Sequence, residues 1–134
     1  MGWQGVRALM EAAIQTNYKH CDSLRLWRTK CSDEGVRLLC KFMMQAKSVK
    51  VFEVLDAEVT KVSCEMLSLA LHQKHELPIQ ILKLDHNPIK SEGLRYLAEG
   101  ISMNKQLKSL SLTYCQIDET AAESLFDIAI YQFS

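Results

Sequence analysis

The sequence predicts a right-handed α/β solenoid, with short parallel strands on its concave side and helices on its convex side. Three observations carry this. Apolar residues recur in a register whose origins, Leu24, Phe52, Leu82 and Leu110, lie 28, 30 and 28 residues apart. Within each period a strand-like alternation gives way to the three-to-four-residue spacing of an amphipathic helix. A small residue then stands at the same offset in every helix. Units of this length cannot bury their apolar stripes alone and must stack on their neighbours.

The N-terminal stretch MGWQGVRALMEAAIQ places Arg7 and Glu11 inside its apolar pattern, unlike the unbroken core of a signal peptide. It reads as an amphipathic helix near 4–16, with Val6, Leu9, Met10, Ala13 and Ile14 on one side. With Gly5, Leu9 and Ala13 at the helix offsets of the register, it is half a unit. The first full unit runs Leu24, Leu26, Thr29, Cys31, Gly35, Leu39, Met43, at offsets 0, +2, +5, +7, +11, +15 and +19. It implies a strand near 23–27 and a helix near 34–46. The second runs Phe52, Val54, Ala57, Val59, Ser63, Leu67, Leu71, for a strand near 51–55 and a helix near 62–74.

The third unit contains ILKLDHNPIKSEGLRYLAEGI and meets the register at Leu82, Leu84, Asn87, Ile89, Gly93, Leu97 and Ile101. Its strand is expected near 81–85 and its helix near 92–104. The fourth runs Leu110, Leu112, Cys115, Ile117, Ala121, Leu125, Ala129, for a strand near 109–113 and a helix near 120–132. A further apolar or small residue precedes each origin by three: Cys21, Val49, Ile79 and Leu107. One domain is expected, a half unit at 1–20 and units at 21–48, 49–78, 79–106 and 107–134. The small residue at +11 is expected to let the first helical turn approach the sheet. The right hand follows from parallel crossovers.

Composition narrows the function. The chain has 134 residues, enough for one continuous core, and 48% of them are apolar. Lys and Arg balance Asp and Glu at 16 each, so no basic field points to nucleic acid or an anionic membrane. No apolar run is long enough to span a bilayer. Five cysteines, Cys21, Cys31, Cys40, Cys64 and Cys115, form no C-x-x-C pair, which favours a reducing cytoplasmic setting over disulfides or a zinc site.

Candidate chemistry is sparse. His72 and His75 are spaced H-x-x-H, but no carboxylate or cysteine at a matching spacing completes a metal set. Asp85 and His86 lie just past a strand with no nucleophile of their own, and no Gly-rich phosphate loop occurs. Cys21, Cys115 and Cys31, at −3, +5 and +7, sit at register positions that are expected to bury them. No catalytic, cofactor-binding or metal-binding residue is therefore expected, and the chain reads as a non-enzyme.

The segments L-x-L-x-x-N-x-I-x-x-x-G at Leu82–Gly93 and L-x-L-x-x-C-x-I at Leu110–Ile117 resemble the leucine-rich repeat family, in its long ribonuclease-inhibitor-like class. The resemblance covers roughly Leu24 to Ile130. It implies that the +5 residue hydrogen-bonds the backbone of the turn, which Asn87 and Cys115 can do fully and Thr29 in part. Ala57 cannot, so the second unit is expected to have the least regular turn. Pro88 helps to fix the path of its own loop. The resemblance also implies a recognition scaffold for protein partners in the cytoplasm, with cilia and the cytoskeleton as places of action. Two alternatives come with it: a regulator of a small GTPase, resembling Ran GTPase-activating proteins, and a fragment of a larger receptor's repeat region.

Strand residues at +1 and +3 point away from the buried residues at 0 and +2, because side chains alternate. They are Arg25 and Trp27, Glu53 and Leu55, Lys83 and Asp85, and Ser111 and Thr113. Arg28, Asp56, His86 and Tyr114, at +4, form the rim. These twelve are the expected partner-binding residues, with Trp27 as the main anchor, since tryptophan is enriched at hot spots. The competing role for Trp27 is packing on the stem of Arg25 or Arg28, or under a preceding unit. The chain opens on half a unit, and its last helix shows Leu125, Phe126, Ile128 and Ile130, so the open ends are expected to need more chain or a partner in a hetero-oligomer.

Overall fold

The computed structural model describes residues 2–121, 123 and 124. Helix α1 (Trp3–Gln15) leads into strand β1 (Ser23–Trp27), helix α2 (Ser32–Ala46), β2 (Val51–Leu55), α3 (Lys61–Ala70), β3 (Ile81–Lys83), α4 (Lys90–Ser102) and β4 (Ser109–Ser111). The strands form one sheet in the order β1-β2-β3-β4, all parallel. Leu24, Phe52, Leu82 and Leu110 stand side by side across it, as the register requires. A helix joins each strand to the next, a crossover that is right-handed in nearly all such units. The chain is an α/β solenoid.

The core runs between sheet and helices. Phe52, Val54 and Leu82 from the strands, Leu84 just past β3, and Leu39, Leu67, Leu94 and Leu97 from the helices, are fully buried. Burial fades toward β1 and β4, where Leu26, Leu110 and Leu112 are half-buried. The apolar face of each unit is closed by its neighbours, so the outermost described strands lack half of that cover.

Several elements depart from expectation. β3 and β4 are three residues long rather than five, although Leu84 N–H still donates to Ser111 O at 3.0 Å. α3 stops at Ala70 instead of reaching 74, and a single 3-10 turn follows at Gln73–His75. This unit is the longest, and Pro78 disfavours helix in the residue before it. α2 and α4 begin two residues early. The helix expected near 120–132 shows a 3-10 turn at Glu119–Ala121; Leu125, Phe126, Ile128, Ala129 and Ile130 lie outside the described residues.

The role given to the small residue at +11 needs correcting. A Cβ on Gly93 would lie 2.3 Å from Ile89 Cγ2 and 3.1 Å from Cys64 Sγ of the preceding unit. What glycine accommodates there is the +7 side chain of its own unit and the helix of the preceding unit, not the sheet.

The irregular turn expected at Ala57 is also not found. Its left-handed residues, Asp56 and Glu58, match Arg28 and Lys30 in the first unit and Tyr114 and Gln116 in the fourth. The reason is that the +5 side chain also acts one unit back. Asn87 Oδ1 accepts from Ala57 N at 2.9 Å and Val59 N at 3.2 Å, while its Nδ2 donates to Val54 O at 2.7 Å and Leu84 O at 3.0 Å. Cys115 Sγ reaches back in the same way to Leu84 O at 3.1 Å. What Ala57 lacks is therefore missing from the first unit's turn. In the third unit Pro88 replaces the second left-handed residue, and Ile89 N–H closes a tight turn onto Asn87 O at 2.8 Å.

A second inter-unit tie was not visible in the sequence. Asp33, on α2, accepts from Thr60 N at 2.9 Å, Thr60 Oγ1 at 2.6 Å and Ser63 N at 3.2 Å, at the start of α3. Burial alone would raise its pKa, but the bonds from Ser63 and Thr60 outweigh that and hold the carboxyl below its ordinary value. A lowered folded pKa gives stability that is fully present above the unfolded value and lost as pH falls through the folded one. Asp33→Ala is expected to cost about 1–2 kcal/mol at pH 7, the scale of a lost helix cap. In denaturant melts the gap from wild type should shrink below about pH 4, near the unfolded aspartate value.

Candidate protein-binding face

The open side of the sheet is set by strand alternation and by the turn that ends each strand. At +4 the backbone enters the left-handed region in all four units, with φ of 56° at Arg28, 50° at Asp56, 61° at His86 and 57° at Tyr114. None of these is glycine, so each carries a conformational cost that the surroundings must offset. A backbone ladder does so: Arg28 N donates to Leu55 O, Asp56 N to Asp85 O and His86 N to Thr113 O, at 2.9–3.1 Å. The result is a row of four exposed side chains along one rim.

Two columns lie inside that rim. In the first, Glu53 is only 8% exposed, between Arg25 Nε at 3.5 Å and Lys83 Nζ at 3.8 Å. In the second, Asp85 Oδ1 accepts from Ser111 Oγ and from Thr113 N, each at 2.7 Å. Along the rim Arg28 Nε lies 3.6 Å from Asp56 Oδ2, and His86 stacks on Tyr114 with ring centres 4.9 Å apart. Most polar groups of the face are thus already paired. Exposed ion pairs of this kind contribute little individually.

Trp27 differs. It is 66% exposed, and at the strand-end corner it opens a depression of about 170 Å³ lined also by Arg28, Leu55, Asp56 and His86. Five of the twelve residues expected from the sequence therefore converge on one spot. Ser111, Thr113 and Tyr114 lie toward the other edge, where Tyr114 is 76% exposed. The face holds two large aromatic surfaces separated by paired polar groups, an arrangement suited to docking a protein surface.

Chemistry elsewhere is muted. His72 Nδ1 accepts from Lys74 N at 3.2 Å, and burial, followed by the electrostatic influence of Lys74, His72 and Lys47, lowers the His75 pKa. No group of three potential ligands is placed to hold a metal among the described residues. No helix among them is long and apolar enough to cross a membrane. All five thiols are free, and burial pushes their pKa up, to about 12 for Cys40 and Cys64. Cys21 alone is not buried, contrary to the burial expected at its register position, because it precedes β1 at the edge of the sheet. Brief native alkylation is expected to modify Cys21 first, with the other four reacting only on unfolding, as read by mass spectrometry.

Comparison with known proteins agrees with the geometry. A model described as Leucine Rich repeat matches residues 78–98 and 104–126. The chain is 26% identical over 121 residues to "NACHT, LRR and PYD domains-containing protein 13" of Homo sapiens, covering 90% of this chain and 11% of that protein. It is 29% identical over 106 residues to "NACHT, LRR and PYD domains-containing protein 4B" of Mus musculus, covering 78% and 12%. It is 30% identical over 110 residues to the ribonuclease inhibitor of Sus scrofa, covering 80% and 24%. The chain thus spans between a tenth and a quarter of the length of these relatives.

Proposed function

Because the chain is a leucine-rich-repeat protein of the ribonuclease-inhibitor-like class, we propose that it is a non-enzymatic interaction module that binds a protein partner through the open sheet face. The observation that carries this reading is Trp27: a large indole left 66% exposed beside a small depression, on a face whose charges are already paired. Leaving that surface in water is costly, and covering it with a partner recovers the cost. The working unit is a hetero-oligomeric complex or a longer repeat array in the cytoplasm. The five free thiols support a reducing compartment.

A second reading, a stretch of a larger receptor's repeat region, is favoured by the relatives whose names combine NACHT, LRR and PYD domains. It uses the same face. No feature of the described residues favours a GTPase regulator, or a ciliary or cytoskeletal place of action.

The test uses a partner identified by capture from lysate and then purified. Trp27→Ala is expected to leave the thermal midpoint unchanged yet weaken affinity by roughly 2 kcal/mol or more, the hot-spot scale. Arg95→Glu, on the exposed side of α4, is expected to leave affinity alone. The opposite pattern would move the interface to the helices.

A further inference from the structure

We infer that the seam between α2 and α3, on the outer side of the helix layer, is a second docking site, which takes an acidic amphipathic helix of a partner protein. The site lies away from the sheet face, and its test does not need the partner of that face.

The helices do not present the same outer surface. With the turn of an α-helix, offsets +10, +14 and +17 make one outward ridge on each of them. At +10 and +17 stand Gln4 and Glu11 on α1, Glu34 and Lys41 on α2, and Glu92 and Glu99 on α4. On α3 the same places hold Val62 and Leu69, which are 50% and 66% exposed. With half-buried Met66 between them, α3 shows an unbroken apolar ridge at i, i+4 and i+7. A lone exposed apolar side chain needs no explanation, but a ridge with this spacing is what a docked helix grips.

The seam beside that ridge is open. Gly93 and Gly100, at +11 and +18, let α4 close onto Cys64 and onto the Ser68 backbone of α3. Offsets +11 and +18 therefore face the preceding helix, and +14, three or four residues from each, leans the same way. On α3 those offsets carry Ser63 and Ala70 instead of glycine, and α3 packs more loosely on α2 than α4 does on α3. Met66, at +14, leans toward α2, so the ridge borders the open seam.

Charge specifies the occupant. Exposed Lys41 stands on α2 beside the seam, and Lys47 follows as the C-cap of that helix. Past the end of α3, the electrostatic influence of Lys74, His72 and Lys47 falls on His75, which places the four together where both helices end. The ion pairs of the helix layer, Arg7–Glu11, Arg37–Glu34, Lys61–Glu92 and Arg95–Glu92, use none of Lys41, Lys47 and Lys74. Unlike the paired charges of the sheet face, these cations are open to a partner's carboxylates. Exposed Glu65 and Glu99 stand on the α4 side of the ridge and would repel an anionic membrane laid across the layer. The complement is a helix with one apolar stripe and acids only on the flank toward α2.

The probe is a synthetic peptide, LEQLLEQIEQLLEQLE, titrated into the full chain. As a helix it carries an apolar stripe with acids on one flank and glutamines on the other. Saturable binding is expected, with NMR shifts at Met66, Leu69 and Lys41. The same peptide with lysine for every glutamate should bind at least about tenfold more weakly. Leu69→Ser should leave the thermal midpoint nearly unchanged, because the side chain is already exposed, yet weaken peptide binding several-fold. Lys41→Glu combined with Lys74→Glu should also weaken it several-fold. Trp27→Ala should bind the peptide as wild type does, so this site and the sheet face can fail independently. Absence of saturable binding, equal binding of the two peptides, undiminished affinity of either ridge or lysine variant, or loss of binding in Trp27→Ala would each overturn the proposal. So would peptide-free self-association that Leu69→Ser abolishes, because the ridge would then belong to a second copy. Binding to phosphatidylserine vesicles in place of the peptide would overturn it in favour of a membrane.

Discussion

Asn87→Ala is expected to destabilise the fold by about 4 kcal/mol. Asn87 is 1% exposed and ties two units together through both ends of its amide. Alanine would strand the N–H groups of Ala57 and Val59 in the interior, and each orphaned buried donor costs roughly 1–3 kcal/mol. The lost bonds to Val54 O and Leu84 O add to this. Asn87→Cys should fall between Asn and Ala, because Cys115 holds the equivalent carbonyl with its thiol alone. Asn87→Asp should be as harmful as Ala, since it would turn an oxygen toward carbonyls that now receive N–H. Chemical denaturation of the three variants checks the order. Equal stability of Asn87→Ala and wild type would mean that water replaces the amide freely.

Gly100→Ala is expected to destabilise by about 1–2 kcal/mol, against the usual preference of helices. Ala in a helix interior is favoured over Gly by roughly 1 kcal/mol. Here, however, a Cβ would lie 2.6 Å from Ser68 Cα and 2.9 Å from Ser68 O, on the backbone of α3. Neither atom can rotate away, so the helices must separate, and overpacking of this kind costs typically 1–3 kcal/mol or more. Ser68→Gly in the same chain should rescue only partly, because it removes the hydroxyl at 2.8 Å and leaves the Cα. Thermal melts of the single and double variants decide the matter; a stabilised Gly100→Ala would show that α3 and α4 are free to part.

The register at 0 and +2 was legible because burial on a strand imposes a period of two, and only one phase places Leu24, Phe52, Leu82 and Leu110 inside together. The two columns at +1 and +3 followed from the same alternation. What the sequence hid was whatever depends on contacts between units. Asp33 capping the next helix, Gly100 against Ser68 and Asn87 serving the turn before its own each join residues about 30 positions apart, with no local signal at either end. The left-handed residues at +4 were equally silent: Arg28, Asp56, His86 and Tyr114 share no chemistry, and a backbone ladder rather than glycine holds them. Glu53 showed its sign but not its burial between two cations.

The most direct test of recognition through the open sheet face is amide exchange on the chain with and without its purified partner. The expected footprint is slowed exchange in β1, in β2 and along the rim from Arg28 through Asp56 to His86, with the amides of α2, α3 and α4 unchanged. Protection confined to those helices, with the Trp27 strand exchanging as in the free protein, would contradict it.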